Sequence, residues 1–288
     1  MNLKQALRLA RDILSQNKVE DAPLEGELLL RHTLKISRVQ LYIDLEKELT
    51  PQQEEAFWLL LKRRLNGEPS AYITGHREFY GLDFKVNPNV LIPRPESELL
   101  VETALAIAKN HPISIIADIG TGSGAIAISL AVNLPQAKIY ATDISAAALK
   151  IAQLNCRQYG VSGRVRLLEG NLLEPLPEPV DIIVANLPYV SQPELAPRFE
   201  PPLALDGGAD GTKIIKQLCQ QAGGRLKSGG WLLLEIGQGQ AEAVAAILHN
   251  IFPEGEIRVM PDLAGIERVV CLSLSASLAQ LDRQPLRC

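Results

Sequence analysis

Ile113-Ser114-Ile115-Ile116-Ala117-Asp118-Ile119-Gly120-Thr121-Gly122-Ser123-Gly124-Ala125-Ile126-Ala127-Ile128-Ser129-Leu130-Ala131 is the stretch on which the fold turns. It opens with an apolar run ending on an acid, the pattern of a strand buried on both faces. It closes on a helix, Ala125 to Ala131. Between them lie glycines at alternate positions, which let the backbone turn tightly and approach a ligand with no Cβ in the way. A glycine-rich loop alone is a weak signal, but here it sits in the required context, between a strand and a helix.

Downstream the alternation repeats. Lys138-Ile-Tyr-Ala-Thr-Asp143 is a second strand ending in an acid, followed by the helix from Ala146. Asp143 stands where a nucleotide-binding unit places the carboxylate that holds ribose hydroxyls. Its plain alternative is an N-cap, a role Ser145 is equally suited to fill. The spacing GxGxG, not GxGxxG, points away from a pyrophosphate and suits a nucleoside with an amino-acid tail, such as S-adenosylmethionine. Val165 to Glu169 is a third strand, and Gly170-Asn171-Leu172 after it is placed for a polar and an apolar contact to adenine. Further strands are read at Asp181–Ala185, Gly230–Gly237, Glu256–Met260 and Arg268–Leu274, the last two as an edge hairpin. Strand–helix alternation from about residue 97 predicts an α/β, Rossmann-like, doubly wound, mostly parallel seven-stranded sheet. The tail from Ala276 is expected to fray.

The strand Asp181-Ile-Ile-Val-Ala ends on Asn186-Leu187-Pro188-Tyr189. Ligands of open α/β sheets bind at the carboxyl ends of strands. The residue before a proline is pushed to extended geometry, so Leu187 keeps its carbonyl out of a helix. Asn186 and that carbonyl form a candidate grip for the two N–H groups of a flat amide or amino-aromatic group, with Tyr189 as an aromatic wall. The plain alternative is a strand-ending turn, where Asn and Pro are common.

Upstream, residues 1–70 read as a small helical bundle. Leu3, Ala6, Leu7, Ala10, Ile13 and Leu14 share a face. Asp21 and Pro23 open a second helix with Leu24, Leu28 and Leu29 inward, and Ser37 caps a third carrying Val39, Leu41 and Tyr42. Thr50-Pro51-Gln52-Gln53 starts a fourth, with a capping-box Gln, that stops at Asn66-Gly67. The bundle is either a substrate-recognition module or plain scaffold; a large substrate needing a second handhold favours recognition. Residues 71–96, with Gly75, Gly81 and Pro88 among aromatic and β-branched residues, read as a β-hairpin connector. The catalytic domain follows over residues 97–288. Arg94 is either turned toward an anionic ligand or a surface arginine in a proline-stiffened turn.

The chain has 288 residues, 47% hydrophobic and 22% charged, with a net charge of −4. That balance argues against duplex DNA binding through a broad basic face. The four cysteines lack CxxC spacing, so no structural zinc is expected and a reduced, cytoplasmic setting is. No run reaches the ~18 apolar residues of a membrane span, and the first residues lack a secretory signal core.

The order Asp118-x-Gly120-x-Gly122-x-Gly124, Asp143, Asn186-Leu-Pro-Tyr189 resembles class I S-adenosylmethionine-dependent methyltransferases acting on planar nitrogen. Glu78-Phe-Tyr-Gly81, Val90-Leu-Ile-Pro-Arg-Pro-Glu96, Leu205-Asp-Gly-Gly-Ala-Asp-Gly211 and Gly265-Ile-Glu-Arg-Val-Val270 narrow it. The chain is similar, over nearly its whole length, to the bacterial and organellar methyltransferases of peptide chain release factors. The resemblance implies methylation of the Gln side-chain amide in a Gly-Gly-Gln loop, in support of translation termination. It implies S-adenosylmethionine held by Gly120, Thr121, Gly122, Ser123, Gly124, Asp143, Asn171, Leu172 and Asn186. It implies substrate held by Asn186, Leu187, Pro188 and Tyr189. Leu187 replaces the usual first proline of Asn-Pro-Pro-Tyr, a change that keeps the carbonyl, and Asn171 stands where relatives commonly carry Asp. Release factors are the expected partners, with no direct nucleic acid, no membrane, no metal and a monomeric chain. The nearest rival is a nucleic-acid adenine-N6 methyltransferase, whose substrate offers the same two N–H groups but needs a flipped base and a basic groove. An NAD-dependent oxidoreductase lacks support from the loop spacing, and a silent binding module from the intact loop, acid and Asn.

Overall fold

The computed structural model describes residues 1–192 and 199–274. The chain divides into two compact units, Met1–His76 and Arg77–Cys288.

The first unit is helical: α1 (Leu3–Gln16), α2 (Ala22–Leu34), α3 (Arg38–Ile43), α4 (Pro51–Leu65) and α5 (Ser70–Thr74). Both capping boxes form, Asn2 with Gln5 and Thr50 with Gln53, and Ser37 caps α3. Gly26 of α2 lies where a Cβ would stand 3.0 Å from the Ala10 Cβ, so two small residues let α1 and α2 pack closely. The core joins Leu3, Leu14, Leu29, Leu30, Leu41, Phe57 and Leu61. Three details depart from the periodicity. Asp21 precedes α2 in a left-handed conformation and makes no capping bond. Leu24 faces outward, and Leu30 takes a core place beside Leu29. Val39 and Tyr42 are exposed, leaving Leu41 as the buried residue of α3. A helix this short commits a single position to the core.

Residues 71–96 are not one hairpin connector. Ala71, Tyr72 and Ile73 are buried on α5, which Gly75 ends in a left-handed conformation. The hairpin is short, β1 (His76–Phe79) and β2 (Leu82–Lys85). Its two-residue turn, Tyr80-Gly81, has positive φ at both positions, matching the twist of the strands. A 3₁₀ turn, Pro95–Ser97, then leads into α6 (Glu98–Asn110).

The second unit holds β3 (Ile115–Ile119), α7 (Ala125–Asn133), β4 (Lys138–Asp143), α8 (Ala146–Gln158), β5 (Val165–Glu169) and β6 (Val180–Ala185). It continues through α9 (Lys213–Ala222), β7 (Leu226–Glu235), α10 (Ala241–Ile251), β8 (Glu256–Pro261) and β9 (Glu267–Ser273). The sheet order is β5-β4-β3-β6-β7-β9-β8. Pairings are parallel except for β9, which is antiparallel to β7 and to β8. The expected doubly wound, mostly parallel seven-stranded sheet is what forms.

Alternate strand residues feed opposite cores. Ile116, Ile139, Ile182, Val184 and Leu233 pack with α6 and α7 residues such as Leu100 and Leu130. Ala117, Tyr140, Ile183, Leu232 and Leu234 pack with α9 and α10 residues such as Leu218 and Val244. Strands covered on both faces are why these runs are continuously apolar. The expected first strand begins two residues later than Ile113 and reaches Ile119. The tail from Ala276 lies outside the described residues.

Asn155 of α8, fully buried, clips several parts together. Its carbonyl accepts from Lys85 N at 2.9 Å, and its amide donates to the carbonyls of Lys85 and Ser123 at 3.0 and 2.8 Å. Asn155→Ala strands three backbone groups at once and is expected to cost about 2–4 kcal/mol in urea unfolding. A loss below about 0.5 kcal/mol would contradict this clip.

Candidate active site

β3 leads by α7 to β4 on one side, while its other neighbour, β6, leads to β7. The crevice at such a switch point, beyond the carboxyl ends of the strands, is where open sheets bind ligands. Register sets what lies there. Ile119 pairs with Thr142 and with Ala185, and Ala185 pairs with Leu234. The next residues, Gly120, Asp143, Asn186 and Glu235, therefore form one row along the sheet edge. A cavity of about 520 Å³ opens there, lined among others by Gly120, Gly122, Asp143, Leu172, Asn186 and Arg94.

The glycine loop is held from beneath. Gly120 and Thr121 donate to the Thr142 carbonyl, each at 2.9 Å. Gly122 N–H donates to Asp143 Oδ2 at 2.9 Å, and Ser145 N–H to Asp143 Oδ1 at 2.8 Å. Gly120 has φ +72°, and a Cβ there would meet Leu187 Cδ2 at 3.2 Å. A side chain here would be strained at that φ and would crowd the end of the neighbouring strand. Beneath the loop, Asp118 accepts from Thr121 Oγ1 at 2.6 Å and Ala127 N at 3.1 Å through one oxygen. Its other oxygen is buried without a partner among the described residues. Desolvation pushes this carboxyl up to about 7. Asp143 is also raised, chiefly by burial.

The Asn186–Tyr189 turn is fixed at several points. Asn186 Nδ2 donates to Ser97 Oγ at 2.8 Å. Among the described residues, neither Asn186 Oδ1 nor the Leu187 carbonyl accepts a hydrogen bond. The Leu187 side chain is buried in the core, so a leucine is accommodated there without a proline ring. Tyr189 donates its hydroxyl to Glu235 Oε1 at 3.2 Å, and its carbonyl accepts from Gln240 Nε2 at 2.9 Å. Burial beside Glu235 raises the Tyr189 phenol, and desolvation pushes Glu235 up to about 7. The Leu205–Gly211 stretch closes over this turn. A Cβ on Gly207 would lie 2.8 Å from the Pro188 carbonyl, and one on Gly211 would lie 2.2 Å from the Tyr189 carbonyl.

Gly120, Thr121, Gly122, Ser123, Asp143, Asn171, Leu172, Asn186, Leu187 and Pro188 all line the one cavity. Two expected residues stand apart from it. Gly124 faces away, where a Cβ would meet Ile128 and Ala152, so its lack of a side chain serves packing between α7 and α8. Tyr189 lies outside the lining, tethered to Glu235 instead of walling the cavity. Asn171 gives its amide to Glu174 at 2.8 Å. Ser145, not Asp143, caps α8. Sequence reading passed over Ser97, Glu235 and Gln240. The signal for Glu235 was present: like Asp118, Asp143 and Asn186, it is a polar residue ending an apolar parallel strand.

A doubly wound sheet with a glycine loop, a following acid and an open Asn at the switch point is the architecture of a methyltransferase. Residues 95–257 match the methyltransferase small domain family. Residues 5–75 match the PrmC N-terminal domain family. The chain is 46% identical to the release factor glutamine methyltransferase of Moorella thermoacetica, over 93% of this chain and 97% of that one. It is 42% identical to that of Koribacter versatilis, over 94% and 98%. The chain belongs to the release factor glutamine methyltransferase family, and it is an enzyme. Among solved structures, the catalytic domain of human Mettl16 aligns with a TM-score of 0.54 at 18% identity. That alignment covers 72% of this chain and 81% of the other, and shows the shared fold. A release factor-specific protein-(glutamine-N5) methyltransferase from Alicyclobacillus acidocaldarius aligns at 30% identity and a TM-score of 0.42, over 66% and 98%.

Two outcomes follow from the geometry. Gly211→Ala drives a Cβ into the Tyr189 carbonyl at φ +76°, and a misplacement of this order is expected to slow methyl transfer about 10²-fold. Gly160→Ala, also at positive φ but facing open space, is the control and should stay within about threefold. Equal rates for both variants would remove the positioning role of Gly211.

The second concerns pH. Asp118 and Glu235 sit near 7 in the fold against about 4 in an unfolded chain. Between those values the folded state holds protons the unfolded state has lost. The stability they contribute is full below about pH 4 and is lost as pH rises through 7. Asp118→Asn is expected to flatten the fall in unfolding free energy over that window. An unchanged slope in urea titrations from pH 4.5 to 7.5 would exclude Asp118 as its source.

Proposed function

We propose that this enzyme methylates the side-chain amide nitrogen of the Gln in the Gly-Gly-Gln motif of peptide chain release factors, using S-adenosylmethionine. The observation that carries the reading is the pair of acceptors left open among the described residues, Asn186 Oδ1 and the Leu187 carbonyl, on consecutive residues that both line the cavity. An amide NH₂ has two N–H groups, and two acceptors at one strand end match them. The names of the curated relatives support release factors as the substrate.

The residues fit the proposed methyl donor. Gly120 and Gly122 present backbone alone, and Asp143 stands in the cavity with lone pairs left after its two backbone bonds. The volume suits a small-molecule ligand. Bound there, S-adenosylmethionine supplies a methyl group already activated on a sulfonium. Asp143 would hold the ribose hydroxyls, with Leu172 and Asn171 beside the adenine. Thr121 and Ser123 would contribute backbone, since the Thr121 hydroxyl is engaged by Asp118. An amide nitrogen is a poor nucleophile because its lone pair is delocalised into the carbonyl. Two hydrogen bonds from its N–H groups to Asn186 and Leu187 would hold the nitrogen in line and favour electron density on it. The chain's contribution is therefore positioning and preorganised polarity. Pro188 would complete the wall, with Tyr189 fixing the turn from behind.

The test is transfer of labelled methyl to a purified bacterial release factor, to its Gly-Gly-Gln loop Gln→Ala variant and to DNA. Label on the wild-type factor alone is the expected result, and label on DNA would assign the enzyme to adenine chemistry. Asn186→Ala is expected to cost about 10²–10³ in rate. A loss under about threefold with cofactor binding intact would remove Asn186 from this role.

A further inference from the structure

Arg94 lines the cavity, yet its guanidinium is engaged elsewhere: its Nη2 donates to Glu200 Oε2. The other carboxylate oxygen, Glu200 Oε1, accepts from the backbone N–H of Ile92 at 3.1 Å. One side chain thus holds a segment that lies 106 to 108 residues away in the chain. Ile92 is 5% exposed, and among the described residues its N–H meets no backbone carbonyl.

Glu200 also begins a short wall. Pro201, Pro202, Leu203 and Ala204 follow it, and all four line the cavity. The far end of this wall is tied beside the Asn186–Tyr189 turn. Val190 N–H donates to the Leu205 carbonyl at 3.0 Å, and Gly207 N–H to the Val190 carbonyl at 2.9 Å. Between the two ends, Pro202–Ala204 is a single 3₁₀ turn with no buried residue. With so little apolar burial of its own, the wall depends on its two ends for its place. At the Glu200 end the two bonds differ in weight. The Arg94 side chain is 41% exposed, and exposed ion pairs contribute little. Withdrawing the acceptor from a buried N–H costs more. The hold on Ile92 therefore outweighs the hold on Arg94.

We propose that Glu200 is a positioning residue that clasps the Pro201–Ala204 wall onto the Ile92–Arg94 segment, and so sets how long the methyl donor stays in the cavity. The inference rests on the reading of this cavity as the S-adenosylmethionine site. A wall ordered before the ligand arrives spares binding the cost of ordering it. Released at one end, it has to be ordered anew around each ligand molecule, and the complex dissociates faster.

The experiment loads the full chain with labelled S-adenosylmethionine and follows its loss after a chase of unlabelled cofactor. Glu200→Ala is expected to speed dissociation about 10-fold. Glu200→Gln keeps an acceptor for the Ile92 N–H and should stay within about threefold of wild type. Arg94→Ala leaves the Ile92 bond in place and should cost less than Glu200→Ala. Pro202→Gly keeps the clasp, loosens the wall itself and should speed dissociation as well, which carries the test if Glu200→Ala fails to fold. Urea unfolding of each variant separates the wall from general stability. A purely structural Glu200 would lower the unfolding midpoint and leave the dissociation rate of the folded enzyme unmoved. That result overturns the inference, as does a failure of Gln to restore the rate, a larger effect from Arg94→Ala than from Glu200→Ala, or an unchanged rate in Pro202→Gly. Failure of the underlying reading looks different: wild type then retains no labelled S-adenosylmethionine.

Discussion

The site rests on one pairing, Ile119 opposite Ala185, between two parallel strands whose chains depart to opposite sides of the sheet. That register leaves Gly120 beside Asn186, where a side chain at positive φ would also crowd Leu187. Shifting either strand by one residue would turn every side chain to the other face. The apolar cores on both faces forbid that shift, since Ile182 and Ile183 are each fully buried on opposite sides. Core packing thereby sets the distance between the glycine loop and the Asn.

Polarity at this edge is held at a cost. Asp118 and Glu235 are buried carboxyls, each with one oxygen lacking a partner among the described residues. Burying such groups disfavours their charged forms, which is why both are pushed toward neutrality. Each orders a more exposed neighbour: Asp118 holds Thr121 in the glycine loop, and Glu235 holds the Asn186–Tyr189 turn. Departures from an all-apolar interior are expected where function requires them.

The second support for the turn comes from absent side chains. Gly207 and Gly211 allow the Leu205–Gly211 stretch to lie directly on the Pro188 and Tyr189 carbonyls. Gln240 bridges the Gly237 N–H and the Tyr189 carbonyl from the other side. The four residues from Asn186 to Tyr189 are clamped by elements from three parts of the chain.

The sequence by itself determined the alternation of strands and helices, the strand–glycine loop–helix unit and the polar residues that end the strands. These are local matters of period, conformational freedom and composition. Capping boxes at Asn2 and Thr50 are local too; the Thr50 box was legible before any coordinates. Helix α5 was not, because five residues carry too little periodicity to separate a buried helical turn from a strand. Only tertiary structure decided that Gly124 packs helices instead of lining the cavity, and that Ser97, 89 residues from Asn186, shares its hydrogen bond. It also decided which end of Asn186 faces the site. That contact joins residues 89 apart in the chain, which neither local periodicity nor propensity encodes.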